Sequence, residues 1–347
     1  MFFNEDTRIV SLAVHRVGSQ MDPEGGIMIS PNALTIPIEM NEDLTEFFIS
    51  PFKQEAYYHF MPEIEGQQNT TYQLVMSILN DENLLHPQSV LLAKSLYAMS
   101  ASENITKGEF YVIKFRNCCY EGQLVDAVGL FKVEKKEIFL HTSTENNQLN
   151  IQLQYGNGLG KIDKGCLAFN TDGDGCVAVA FDKATRGDNA FYWIDSFLGL
   201  QQNEDEFFQT QQVINMCHDF VKNQLPQQYN ITKDQQADLL NRSMQFFKEN
   251  EDFSMEDYTE DVIQQEDIIN NFKSFKTDFE QSRGFKVAEE FNISEPAVKK
   301  MAKIMKSVIK LDKNFHVYVH GKRDFIRRGF DEEMGMQFYQ LYFTEEE

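Results

Sequence analysis

Residues 108–134 read GEFYVIKFRNCCYEGQLVDAVGLFKVE, and the alternation of apolar with polar positions along that run decides the fold class. Glu109–Arg116 and Gln123–Glu134 are rich in β-branched and aromatic residues at period two, the pattern of strands half-buried on a sheet. Four further segments repeat it: Glu137–His141, Asn150–Tyr155, Gly165–Asn170 and Cys176–Asp182. Together they predict an antiparallel meander. Its last hairpin turn is TDGDG, Thr171–Gly175, where Asp-Gly dipeptides supply the φ > 0 conformations that tight and bulged turns need. Asp172 and Asp174 lack the further oxygen ligands and the twelfth-position glutamate of a calcium loop, so the segment reads as a turn.

Upstream, Arg8–Val17 (RIVSLAVHRV) alternates as a strand, with Gly25 and Gly26 marking the turn after it. Three helices follow, over Asn41–Phe48 with Asn41 as N-cap, Tyr72–Asn80 and Gln88–Met99. Beyond Arg186 and Gly187 the pattern turns helical, which places a domain boundary there: 1–186 and 187–347. Phe191–Leu200 carries Trp193 and closes on Gly199. Thr232 opens a capping box with Gln235, and Ala237, Leu240, Met244 and Phe247 make one buried face. Ser254 caps the next helix, and the stripe Ile268, Phe272, Phe275 and Phe279 stops at Gly284. The predicted class is α+β: an N-terminal mixed domain with an antiparallel sheet, then a mainly helical domain ending in short strands.

With 347 residues, 42% hydrophobic and 13% aromatic, the chain can bury two cores. It contains no apolar run of about 18 residues, and its opening MFFNEDTRIV has acids where a signal peptide needs bases. The reading is a cytoplasmic protein whose five cysteines, odd in number and without CxxC spacing, are reduced core residues.

The net charge of −22 opposes nucleic acid, but its distribution is uneven. Residues 283–328 hold twelve Lys or Arg against five acids, a local charge of 12 − 5 = +7, which leaves −22 − 7 = −29 for the remainder. Ser294–Lys310 (SEPAVKKMAKIMKSVIK) begins with an N-cap serine and an early Pro296 and predicts one helix. On that helix Lys299, Lys303, Lys306 and Lys310 fall within an arc of roughly 60°, opposite an apolar face. Such a stripe spans about 16 Å, enough to follow several phosphates of one DNA strand. Lysine lacks the planar fork that reads base edges, so the contact is largely sequence-independent. A second basic cluster, Lys322, Arg323, Arg327 and Arg328, follows the strand Phe315–His320.

Motifs for catalysis are missing from the sequence: no GxSxG, P-loop, HExxH or Rossmann fingerprint. YGNGLGK (Tyr155–Lys161) fails the Walker pattern because Ile162 follows the lysine. His316 and His320 lie too far apart on a strand to share zinc. The reading is therefore a non-enzyme without cofactor or metal. A hydrolytic alternative with Asp172, Asp174 and Asp182 as metal ligands is the weakest of those considered.

Six stretches carry a resemblance that spans nearly the whole chain: AVHRVG (Ala13–Gly18), LTEFFISPF (Leu44–Phe52), AVGLFKVE (Ala127–Glu134), IDKGCLAFN (Ile162–Asn170), YWIDSFLGL (Tyr192–Leu200) and FHVYVHGKRDFIRRGFDEEMGMQFYQLYF (Phe315–Phe343). In these the chain resembles the YejK or NdpA family of bacterial nucleoid-associated proteins, most closely its Bacteroidetes-type versions. The resemblance implies a two-domain α+β protein that accompanies the nucleoid, forms a homodimer, touches topoisomerases and has no catalytic residues. The expectation is a DNA-binding protein whose phosphate contacts come from Lys299, Lys303, Lys306, Lys310, Lys322, Arg323, Arg327 and Arg328. The alternative is an adaptor or regulator of DNA-handling enzymes such as topoisomerases, with little direct DNA affinity and an acidic domain that mimics or competes with DNA.

Overall fold

The computed structural model describes residues 2–345 apart from 23–25, 54–55, 65, 103–104, 146–147, 159–160, 172–175, 184–191, 306–307, 313 and 319–324; of residues 145, 308 and 310 it describes the backbone alone. The chain divides into two compact units, Met1–Asn203 and Glu204–Glu347. The boundary expected at 186/187 falls outside the described residues. Tyr192–Leu198, expected to open the second domain, instead packs Trp193, Phe197 and Leu198 into the core of the first unit. The TDGDG turn lies largely outside the described residues.

In the first unit the strands are β1 (Arg8–Val17), β2 (Ile27–Met28), β3 (Tyr58–Phe60), β4 (Glu63–Ile64), β5 (Gln67–Gln68), β6 (Gly108–Tyr120), β7 (Gln123–Val133), β8 (Glu137–Glu145), β9 (Gln148–Gly156), β10 (Lys164–Asn170), β11 (Cys176–Asp182) and β12 (Leu200–Gln202). Eight of them form one antiparallel sheet in the order β12-β3-β11-β10-β7-β6-β1-β2. All six strands expected of the meander are present, but among the described residues β8 and β9 pair only with each other.

The period-two pattern sends alternate side chains to two different cores. Phe110, Val112, Val128 and Leu130 meet helices Thr70–Asn80 and Leu85–Ala98 on one face. Ile113, Phe115, Phe131 and Val133 meet helix Ile38–Ile49 and Phe2 on the other. A sheet covered on both faces explains the apolar runs Phe110–Phe115 and Ala127–Val133, each interrupted by a single lysine.

Asn41 does not cap the first helix, which starts at Ile38. Its carboxamide instead accepts from the Ile9 amide at 3.0 Å and donates to the Ile9 carbonyl at 2.9 Å. The register of β1 slips between Ile9 and Ser11, and a side chain that is both donor and acceptor satisfies the backbone beside that slip.

The second unit is built on helices Glu206–Asp219, Lys233–Glu249 and Glu266–Arg283. Ala237, Leu240, Met244 and Phe247 are all buried, as are Phe272 and Phe279. Gln235 accepts from the Thr232 amide at 2.8 Å, Ser254 accepts from the Asp257 amide, and Gly284 ends its helix at φ 73°. Short antiparallel pairs complete the unit: β13 (Asp252–Ser254) with β14 (Glu290–Asn292), β15 (Val308–Leu311) with β16 (Phe315–Tyr318), and β17 (Ile326–Asp331) with β18 (Met336–Leu341).

The helix expected over Ser294–Lys310 is much shorter, Glu295–Met301, and the chain then turns into β15. Val308 and Ile309 are β-branched, and pairing with β16 places Ile309 in a cluster with Ala237, Leu311 and Val317. Burial of Ile309 to 1% exposure prevails over a periodicity that suited a helix equally well.

Candidate nucleic-acid interface

That early helix end dissolves the lysine stripe. Lys299 sits in the last turn of helix Glu295–Met301, Lys303 lies in the turn beyond it, and Lys310 belongs to β15 opposite His316. Lys306, Lys322 and Arg323 lie outside the described residues, as does His320. A shared helical face is therefore not what gathers these bases.

The exposed bases that are described differ in how free they are. Lys299 pairs with Glu295 at 2.6 Å, and the lysine in turn holds that carboxyl below its usual range. Arg283 pairs with Asp219 at 3.3 Å while lying over the Phe279 ring. Lys300 stands 5.1 Å from the Phe207 ring centroid, a cation–π arrangement that leaves its outer side to solvent. Among the described residues neither Lys300, Lys303, Arg327 nor Arg328 forms an ion pair.

Arg327 and Arg328 are consecutive on β17, so they project from opposite faces of the hairpin. Arg328 donates to Gln337 Oε1 from Nε at 3.1 Å, on the face whose Ile326 and Tyr339 pack toward Ala237. Arg327 lies 5.4 Å from the ring of Tyr342 on the other face. That face also carries exposed Phe338, whose ring lies so close over Gly329 that a side chain there would have to push it aside. The sequence reading overlooked Phe338 and Tyr342 as companions of the arginine; their even spacing within MQFYQLYF, Met336–Phe343, was the available signal.

A second charged cluster, also overlooked, lies within the first unit. Lys132 and Lys164 are fully buried. Lys132 Nζ donates to the Thr106 carbonyl at 2.8 Å and meets Glu134 at 3.2 Å and the Tyr192 hydroxyl at 3.3 Å. Lys164 Nζ meets Asp182 at 2.7 Å, and both ammonium groups lie over the Tyr192 ring. Burial lowers the Lys132 pKa, with Glu134 opposing, and raises that of Tyr192. These charges are spent internally and cannot reach a phosphate. Asp182, the one described member of the hydrolytic alternative, is engaged by Lys164 rather than grouped with other ligands, and no group of three metal-ligating side chains occurs among the described residues. Lysines embedded in the apolar runs FKV and DKGCLAF were its signal in the sequence.

The five cysteines form no disulfide, and burial pushes Cys176 and Cys217 up to about 12, so these thiols stay protonated. Among the described residues no helix is long and apolar enough to cross a membrane.

A search of curated proteins finds no match. A family model described as nucleoid-associated protein YejK matches residues 13–333, which takes in most of both units. The chain belongs to the YejK family of nucleoid-associated proteins.

Proposed function

We propose that this chain is a non-catalytic DNA-binding protein that works at the cytoplasmic nucleoid as a homodimer, holding DNA by its phosphates through the basic C-terminal segment. The observation that carries the reading is the +7 balance of residues 283–328 within a chain of net charge −22. Exposure of Lys300, Lys303, Arg327 and Arg328 without acidic partners among the described residues supports it, as does family membership. Lys299, Lys306, Lys310, Lys322 and Arg323 complete the proposed contacts. Without a shared helical stripe the contacts come from a turn, a short helix end and two hairpins, a spread that favours backbone contact over base reading.

DNA affinity should fall linearly with the logarithm of salt, by a slope of about 0.9 per phosphate contact. Replacing Lys299, Lys303, Lys306 and Lys310 by Glu should weaken binding equally on unrelated duplexes. Affinity unchanged by that quadruple substitution rejects the reading.

A specific feature favours the adaptor as a second reading. Residues 251–267 hold eight acids and no base, paired as Glu251–Asp252, Glu256–Asp257, Glu260–Asp261 and Glu266–Asp267, and all eight are exposed. A surface of that kind suits the basic DNA-binding face of an enzyme such as a topoisomerase. Recovery of such an enzyme with this chain from nuclease-treated lysate favours the adaptor; its loss on nuclease treatment favours DNA as the bridge.

A further inference from the structure

The hairpin β8–β9 stands apart from the eight-stranded sheet as a two-stranded ribbon. Its register is unbroken from Glu137↔Gly156 to Glu145↔Gln148, so it extends about 30 Å. Cross-strand partners share a face, and the pairs Ile138↔Tyr155, Leu140↔Leu153, Thr142↔Ile151 and Thr144↔Leu149 put six large apolar side chains on one side. The opposite side carries Glu137, His141 and Ser143 with glutamines and Asn150, and a single large apolar residue, Phe139, which lies against Gly156 and is 38% exposed. An amphipathic ribbon of this kind is made to cover something, yet Ile138, Leu140, Leu149, Ile151, Leu153 and Tyr155 are each 62% to 71% exposed.

Their combined exposed area, backbone included, is on the order of 800 Å², where the largest apolar patch on a typical monomer covers about 300–600 Å². It equals what one partner of a standard protein interface buries. A lone two-stranded hairpin is also marginal in water unless its apolar face is packed.

The chemistry of the ribbon narrows the occupant. From Glu137 to Gly156 there is no lysine or arginine, so neither phosphate nor an anionic lipid surface is attracted to it. The apolar face carries no charge, so two copies of a chain of net charge −22 meet there without like charges in contact. A two-fold axis through the ribbon makes the face its own complement, because every aliphatic side chain finds another across the axis.

We propose that β8–β9 is a dimerisation arm, and that its apolar face packs on the same face of a second copy of this chain. This rests on the homodimer proposed above and assigns its interface. The test is the molar mass of the full chain by light scattering and sedimentation equilibrium, without DNA, across about 0.1–50 µM. The wild type should weigh as a dimer, and Leu140→Asp with Leu153→Asp should raise the dissociation constant at least about 100-fold, since two buried charges without partners would face each other. Gln152→Asp on the polar side should leave the mass unchanged. Both substituted leucines are largely exposed within one chain, so the fold of the protomer should persist and far-UV circular dichroism should stay close to that of the wild type, while the unfolding midpoint should fall only by the stability that association adds. A wild type that is monomeric throughout overturns the dimer and the arm together. A dimer that survives the two aspartates overturns the arm alone, and loss of the dimer on Phe330→Asp and Phe338→Asp instead would assign the contact to β17–β18.

Discussion

His15 is 3% exposed, and its Nδ1 accepts from the Ser30 amide at 3.2 Å. That leaves Nε2 to donate to Ser89 Oγ at 2.8 Å, while Ser89 donates onward to the His86 carbonyl at 2.7 Å. The neutral ring is therefore the form the fold holds. Burial, and secondarily His86, lower its pKa from 6.5 to about 4. Because the folded value is depressed, the unfolded chain takes up the proton first as pH falls. The stabilisation is complete above about pH 6.5, declines below it, and is exhausted near pH 4. At about 1.4 kcal/mol per unit the loss over that range is on the order of 3 kcal/mol. Urea unfolding should show a lower midpoint at pH 5 than at pH 7, and His15→Asn, though less stable at pH 7, should flatten that difference. The buried pair Lys164–Asp182 makes a different prediction. Asp182→Ala leaves the buried Lys164 ammonium with the more distant Glu134, at 4.0 Å, and should cost about 3 kcal/mol, whereas Lys164→Met with Asp182→Leu should recover most of it. A double-mutant cycle by chemical denaturation measures the coupling; additive losses would show that the two charges do not depend on each other.

Helix ends show how local chemistry sets an element. Gly284 adopts φ 73° with open space around its α-carbon, so Gly284→Ala meets no clash and should lose about 1 kcal/mol from backbone strain alone. Thermal unfolding detects that loss, and no change would mean that the helix frays there instead. The same locality explains what could be read from the sequence. Strands β6, β7, β10 and β11 were legible because each is a short apolar, β-rich run, and Gly284 and Thr232 because caps are decided within a few residues. Helix Glu295–Met301 was legible at its start, where Ser294 and Pro296 act locally, and not at its end. There Ile309 answers to Ala237, more than sixty residues away in sequence, and no window on Ser294–Lys310 contains that partner. Asn41 was misread for a related reason: it looked like a cap, but the group it serves belongs to Ile9 on a strand. The basic segment was legible as composition, while its division between a helix end, a turn and hairpins was not.

For the molecule as a whole, the distribution of charge matters more than any one contact. The net charge of −29 outside the basic segment, the sum −22 − 7, opposes the approach of DNA over about a Debye length, ~8 Å at physiological salt and ~30 Å at 0.01 M. On the proposed reading the basic segment attracts DNA against this background, and the repulsion from the remainder grows as salt is removed. The exposed acids at 251–267 are the densest source of it, with no base among them. Replacing Glu256, Asp257, Glu260 and Asp261 by their amides removes four of those charges from a surface where none forms an ion pair among the described residues, so folding should be little affected. If the chain binds DNA directly, stopped-flow association should speed up several-fold at 20 mM salt and hardly at 300 mM, with the dissociation rate nearly constant, because screened long-range charge acts on encounter rather than on the bound state. If the acids instead serve a basic protein partner, the same variant should leave association with DNA unaltered and release the partner in a pull-down. One set of isosteric substitutions therefore separates a surface that merely hinders DNA from one that stands in for it.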